Sequence, residues 1–348
     1  MNHTAGLRDD WYEDDNFFYT HNTDSAFFAA LKNAPLKFQP GEGWSYGCGP
    51  FILGMIIAKV SGQSYPDFMK QRIFDKLGMT HSRIDNPELI IPNKAVGYRL
   101  IDQQVVHGRQ ISAAAQMRGD VGVLSTVNDL LKWYAALQDS SLLKKSSLDM
   151  MFAPGLLNDS SKMGYGFGWF LEPYRDHALI SHTGAFRTGF NSVMEFYPED
   201  HVCIIILCNL HRAGVYEVAK DIVGLFNPDY KRASQMDSVA DPDTVRTLLL
   251  KSFYEELGLN VDTTRKMIRE LHVADYPQNE EDLAPFRNIT EFSFIKAFKL
   301  TRAEPNIFGD MIQGIYLYKI RVRDVPEPLY AVFYLDPTGK VVYFGFDD

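Results

Sequence analysis

The spacing of apolar and polar positions along this chain changes several times, and each change marks an element. Ser25–Asn33 carries one apolar side through Phe28 and Leu31, which predicts a helix stopped by the Gln39-Pro40-Gly41 turn. From Pro50 to Ser61 the residues Phe51, Ile52, Leu53, Met55, Ile56, Ile57 and Val60 are apolar nearly all round, which predicts a helix buried on most sides and ended by Gly62. Ser64-Tyr65-Pro66-Asp67 reads as a capping box, with the hydroxyl and the carboxylate satisfying free amides. The helix that it opens sets Tyr65, Phe68, Met69, Ile73 and Leu77 on one face and stops at Gly78. Residues 79–118 read as loop and short strand. A second box, Thr126 to Asp129, starts a helix through Trp133 and Leu137.

Strand signals follow at Gly164–Phe170, Ala178–Ser181, Gly189–Tyr197 and Val202–Cys208, with a Pro198-Glu199-Asp200 turn between the last two. The run Val202, Ile204, Ile205, Ile206 predicts a central strand buried on both faces. Val215–Phe226 reads as a closing helix. Asn227–Asp243 is polar and contains two prolines, the composition of a linker. Beyond it come helices near Thr244–Leu257 and Thr263–Val273. A strand then alternates Tyr318, Ile320 and Val322 with Lys319, Arg321 and Arg323, as in a sheet wet on one face. Leu329–Leu335 and Val341–Phe346 form a terminal hairpin around Asp336-Pro337-Thr338-Gly339. The division expected is a main domain over 1–230, a linker over 231–243 and a small α+β domain over 244–348.

The 348 residues are 46% hydrophobic and 23% charged, ordinary for a globular chain long enough to bury a large core. A net charge of −9 without a Lys/Arg-rich block argues against a nucleic-acid or anionic-membrane partner. No run of 18 apolar residues predicts a membrane span, and Met1–Thr4 has neither the basic nor the apolar region of a signal peptide; the compartment stays open. Cys48, Cys203 and Cys208 have neither metal-ligand nor disulfide spacing. No two histidines stand four apart on a helix, and no glycine-rich phosphate loop occurs, so the sequence calls for no metal and no cofactor. Asp9, Asp10, Glu13, Asp14 and Asp15 read as a solvated acidic loop.

The sharpest chemical signal is Ser181-His182-Thr183-Gly184-Ala185. Alone, a His-x-Gly reads as an edge-strand histidine bonded within its own strand. Here it is flanked by Gly164-Tyr165-Gly166-Phe167-Gly168-Trp169 before, and by Gly189-Phe190, Pro198-Glu199 and Leu207-Cys208-Asn209 after. Earlier come Asn2-His3-Thr4-Ala5-Gly6-Leu7, Pro40-Gly41-Glu42-Gly43-Trp44-Ser45-Tyr46, and Gly122-Val123-Leu124-Ser125-Thr126 with Asn128-Asp129. In order and spacing these segments resemble the β-lactamase-related and penicillin-binding-protein-like serine hydrolases, from residue 1 to about residue 230. The resemblance implies an α/β fold: an antiparallel sheet flanked by helices beside a helical lobe, incomplete at its N-terminus, with the small C-terminal domain added.

It also implies roles. His182 stands where penicillin-recognising enzymes carry the lysine of Lys-Thr-Gly, as in the esterase-like variants, and would supply a donor near the reacting carbonyl. Thr183 belongs to the same substrate-binding strand. Gly184, lacking a Cβ, would let substrate approach the backbone, and the Ala185 amide would be an oxyanion donor. Tyr46 takes the place of the tyrosine of Tyr-x-Asn, a general base or its helper. A phenol with a reference pKa of ~10 needs a nearby cation for that task. Cys48 replaces the asparagine that would orient substrate, and the stretch from Tyr46 to Gly54 is one residue short of the usual pattern. The alternative for Trp44 and Tyr46 is a pair packing a turn onto the core. Cys48 as a nucleophile in its own right has no evident base beside it.

The family's nucleophile sits in a Ser-x-x-Lys motif opening a buried helix, ahead of the segment that Asn2–Leu7 resembles. Two literal matches occur, Ser141 to Lys144 and Ser293 to Lys296, one in a surface loop and one on a strand. Neither opens a buried helix with the two side chains one turn apart, and both are rejected. The expectation is therefore a truncated member of the family. Either a second chain completes the sheet, or the gap is covered unusually, or the gene product is cut short. Two functions follow. One is a serine hydrolase or acyltransferase of ester, amide, peptide or β-lactam substrates, working through an acyl-enzyme and inactive as this chain alone. The other is a non-catalytic binding module derived from the fold.

Overall fold

The computed structural model describes residues 1–8, 24–86, 88–110, 119–186, 188–271, 277 and 279–347. The acidic cluster over 9–15 and part of the 79–118 loop lie outside them. The chain forms two compact units. The first comprises Met1–Leu171 and Leu179–Ala219, the second Glu172–Ala178 and Lys220–Asp348.

In the first unit, helix α1 (Asp24–Asn33) meets α2 (Gly49–Ser61) through the stacked rings of Phe27 and Phe51, 4.2 Å apart, with Cys48 beside them. Gly62, at φ +69°, ends α2 in the left-handed conformation that glycine adopts without strain. The expected burial of α2 on most sides is not what the structure has. Phe51 and Gly54 are buried, whereas Ile56 is exposed and Val60 is 82% exposed. Apolar composition sets the helix's affinity for a cover, and among the described residues that cover lies on one side. Helix α3 (Tyr65–Met69) starts at Ser64, whose Oγ accepts from the Asp67 amide at 3.2 Å as predicted; the Asp67 carboxylate, expected on a free amide, accepts from that hydroxyl at 2.6 Å. A π-turn over Lys70–Phe74 follows, and it brings Phe74 to the buried side in addition to Ile73. Helix α4 (Val127–Asp139) is capped by Thr126 and followed by α5 (Lys145–Met151). Helix α6 (Val215–Phe226) begins in this unit and continues into the second from Lys220.

The main sheet of this unit has β2 (Phe190–Tyr197) between β1 (Ile180–Phe186) and β3 (Val202–Cys208), all antiparallel. The register sets Ile180 opposite Phe196, His182 opposite Met194, and Gly184 opposite Ser192. Directly opposed residues share a face. Ile180, Met194, Phe196 and Cys203 therefore pack together against Leu137 of α4, Leu148 of α5, and Trp169. Two expectations are corrected. Gly164–Phe170 is a turn rather than a strand, held by single bridges from Tyr165 to Phe170 and from Phe170 to Ser181, because Gly168 at φ +82° reverses the chain. And β3 lies at the outside of the sheet among the described residues: Ile204 is buried but Leu207 is exposed. A β-branched run specifies a strand, not its place in the sheet.

The second unit is built on a four-stranded meander of β4 (Ile289–Pro305), β5 (Met311–Val322), β6 (Leu329–Leu335) and β7 (Val341–Phe346), with helices α7 (Thr244–Glu256) and α8 (Val261–Glu270). Leu250, Tyr254, Tyr318, Ile320, Phe333 and Phe344 form one core. Ala233, Ile295, Phe298, Ile315, Leu317 and Val332 form another. The face predicted to be wet is polar only around Lys319 and Arg321, which pair with Glu291; Ile315 and Leu317, of the same parity, are buried. Around the start of the stretch read as a linker, Tyr230 and Ala233 are fully buried in two 3₁₀ turns, and residues 237–240 are exposed. Arg232 in the same stretch pairs with Asp221 at 2.8 Å.

Candidate active site

Tyr46 is delivered by a loop strapped down on two sides. The amides of Lys37, Gly41 and Ser45 donate to the carbonyls of Gly6, Thr4 and His3 at 2.8, 2.8 and 3.0 Å. From the other side the Asn158 side-chain amide donates to the Pro40 carbonyl at 2.9 Å. Gly41 has φ +84°, and a Cβ there would lie 2.2 Å from Asn158 Oδ1, so only glycine fits this corner.

Around Tyr46 the fold gathers rings. Those of His3 and Tyr46 are 4.3 Å apart, those of His3 and Tyr165 5.2 Å, and those of Tyr46 and His182 6.0 Å. His3 Nδ1 accepts from the Gly47 amide at 3.2 Å, locking the segment that follows Tyr46. Tyr46 is 51% exposed, yet the neighbouring rings desolvate its phenol and raise its pKa above the ordinary value of 10.0. In this setting it keeps its proton at neutral pH.

His182 sits on β1 with both ring nitrogens engaged. Nδ1 is 2.7 Å from the Thr183 carbonyl oxygen, and Nε2 is 3.1 Å from the hydroxyl of Tyr165. A carbonyl can only accept, so the neutral ring carries its proton on Nδ1 and Nε2 accepts from the tyrosine. Burial lowers the His182 pKa, and the bond to Thr183 offsets this only in part. Tyr165 is 1% exposed, and burial raises its pKa, with Tyr46 adding a smaller push in the same direction.

Backbone direction follows from the ladder. Ser181 exchanges both of its hydrogen bonds with Phe170, at 2.9 and 3.0 Å, on the side of β1 away from β2. In an antiparallel pair the outward-directed residues alternate, so Thr183 and Ala185 also aim their amides outward. Thr183's carbonyl already takes the His182 proton, and its side chain points to the opposite face from His182. Ala185 is exposed. A Cβ on Gly184 would come 2.5 Å from Ser192 Oγ on the neighbouring strand, so this glycine keeps β1 and β2 close as well as the backbone bare.

Tyr46 and His182 are thus brought together, with Thr183, Gly184 and Ala185 following from the strand. Cys48 is not with them: it is 1% exposed and packs in one cluster with Phe27 and Phe51. Ser141 follows the C-cap of α4, and Ser293 lies mid-strand with its hydroxyl donating to Glu291 at 2.7 Å; neither opens a helix. His3 and Tyr165 were not among the sequence candidates. Both lie in segments that carried the resemblance, which was the available signal, but their roles depend on contacts far apart in the chain.

The β-lactamase family model matches residues 1–224. Penicillin-binding protein 4* of Bacillus subtilis (strain 168) is 30% identical over 236 residues, covering 63% of this chain and 52% of that protein. The D-amino acid amidase of Ochrobactrum anthropi SV3, solved with L-phenylalanine, superposes with a TM-score of 0.55 at 22% identity, over 65% of this chain and 71% of its own. The octameric penicillin-binding protein homologue from Pyrococcus abyssi superposes at 0.55 and 18% identity, over 99% of this chain and 76% of its own. These two likenesses concern the fold. The chain spans about half the length of the curated relatives it matches. Motif order, an antiparallel sheet flanked by helices, and a match over most of the chain agree: this chain belongs to the β-lactamase family.

Proposed function

We propose that this chain is the substrate-binding part of a serine hydrolase that transfers acyl groups from small esters, amides or peptides, and that the 348 residues by themselves do not complete the reaction. The observation that carries this reading is the 6.0 Å approach of the Tyr46 and His182 rings beside an edge strand with an outward-facing Ala185 amide. A carbonyl laid along that edge would find the Ala185 N–H in place for the charge that develops on its oxygen. Tyr46 would take or relay the proton of an attacking hydroxyl. For that it needs a cation close by, since desolvation raises its pKa. A serine with a lysine one helical turn away would supply both the hydroxyl and the cation. Neither Ser141 nor Ser293 is so placed, and loss of a serine nucleophile costs on the order of a millionfold in turnover, as measured in subtilisin.

A second reading, a non-catalytic binding module, is favoured by the same protonated phenol and by the engaged nitrogens of His182. Covalent labelling decides between them. The 348-residue chain is incubated with a fluorophosphonate and with a fluorescent penicillin and resolved under denaturing conditions. The expected result is no labelled band. A band that persists in the Ser141→Ala/Ser293→Ala double variant overturns the claim that these residues lack a working nucleophile.

A further inference from the structure

We propose that Tyr165 is a positioning residue for His182: its hydroxyl, donated to Nε2, holds the imidazole as the neutral Nδ1–H tautomer beside Tyr46. The geometry fixes both ends. The Thr183 carbonyl, 2.7 Å from Nδ1, can only accept, and the Tyr165 hydroxyl, 3.1 Å from Nε2, is left to donate. Neither ring can swing easily. Tyr165 packs edge-on against Phe170 at 4.9 Å, and Phe170 in turn lies 5.2 Å from the His182 ring. The titratable groups facing this pair are Tyr46 and His3, whose rings lie 6.0 Å from His182 and 5.2 Å from Tyr165 respectively.

This tautomer is the less favoured one for a free histidine side chain, so it needs the two partners to hold it. Proton transfer from Tyr165 to His182 is opposed at both ends. Burial raises the tyrosine's proton affinity and lowers the histidine's. The pair stays uncharged, and the ring presents neither a positive charge nor a spare N–H to an arriving carbonyl. The donor role expected for His182 from the sequence then passes to the Ala185 amide. The significance of this arrangement rests on the acyl-transfer reading above, but its test uses no acyl donor, so the two can fail separately.

The test is nitrogen-15 NMR of the full chain with labelled histidine at pH 8, His182 being assigned by the signal lost in His182→Gln. In the wild type the Nδ1–H tautomer is expected to dominate. Tyr165→Phe, which keeps the ring and deletes the donor, is expected to move the tautomer ratio about fivefold towards Nε2–H, as loss of one hydrogen bond would. An Nε2–H wild type overturns the proposal, as does a Tyr165→Phe ratio equal to that of the wild type. If Tyr165→Phe does not fold, the Tyr165 hydroxyl proton decides: a correlation to His182 Nε2 supports the proposal, and a hydroxyl proton without one overturns it.

Discussion

A histidine beside a glycine in a strand carries no charge assignment in the sequence; its environment supplies one. At His182, burial outweighs the bond to Thr183 and lowers the pKa. A histidine depressed in the folded state is neutral in both states above its unfolded value of about 6.5, and it contributes nothing there. As the pH falls towards the folded value, the unfolded chain takes the proton first and stability is lost. A tenfold difference in proton affinity is worth about 1.4 kcal/mol. The thermal midpoint of the wild type is therefore expected to drop between pH 7.5 and 5.5, and that of His182→Gln to drop less, read by calorimetry at matched ionic strength. At this scale the sequence singled out Tyr46 and His182, whose rings the fold brings to 6.0 Å, while the strand expected over Ala178–Ser181 lies at Ile180–Phe186. It did not identify Tyr165 as the partner of Nε2 or His3 as the neighbour of Tyr46. It also retained Cys48, which the fold turns into the cluster of Phe27 and Phe51.

Helix caps were legible because the bonds that make them span three residues. Thr126 Oγ1 accepts from the Asp129 amide, as the pattern predicted. What the pattern could not give is the second use of Asp129. Its buried carboxylate, 1% exposed, also accepts from the His81 amide at 2.8 Å and the Ser82 hydroxyl at 2.9 Å, and pairs with Lys132 at 2.9 Å. Burial alone would lift this carboxyl, but Lys132, His81 and Ser82 outweigh it and hold the pKa below 3.8. Asp129, in the first turn of α4, thereby ties the helix to the turn that follows α3. Asp129→Ala is expected to cost about 1–3 kcal/mol in denaturant unfolding, by taking the acceptor from the part-buried His81 amide and leaving the Ser82 hydroxyl only Ser125, with Asp129→Asn losing less. The elements misplaced from sequence, α2 and β3, show the converse. Their apolar content was read correctly, but burial belongs to whatever packs against an element.

At the scale of the molecule, chain order and spatial grouping diverge. Residues Glu172–Ala178 lie in sequence between two parts of the first unit yet fold with the second. There Arg175 bonds the Lys231 carbonyl at 2.9 Å and the Asp347 carboxylate at 2.5 Å. Glu172 accepts from the Ile307 amide at 2.8 Å, yet burial pushes its carboxyl up to about 7 from 4.5. A carboxyl with a raised folded pKa contributes most below its unfolded value and loses that contribution as the pH rises through 7. Glu172→Gln keeps the acceptor and removes the charge. It is expected to melt about 2–4 °C above the wild type at pH 8, with the gap closing by pH 5. Nothing local marks Glu172, since the amide that bonds it, that of Ile307, lies in the turn after β4, 135 residues away. What the sequence by itself determined was set by short-range rules: periodicity fixed helix against strand, three-residue patterns fixed the caps, and the order of motifs fixed the family. Only the tertiary structure decided which apolar faces are covered, which tyrosine meets His182, and which carboxyl is buried. Those outcomes depend on long-range pairings that close loops of many residues, and no window along the chain contains both partners.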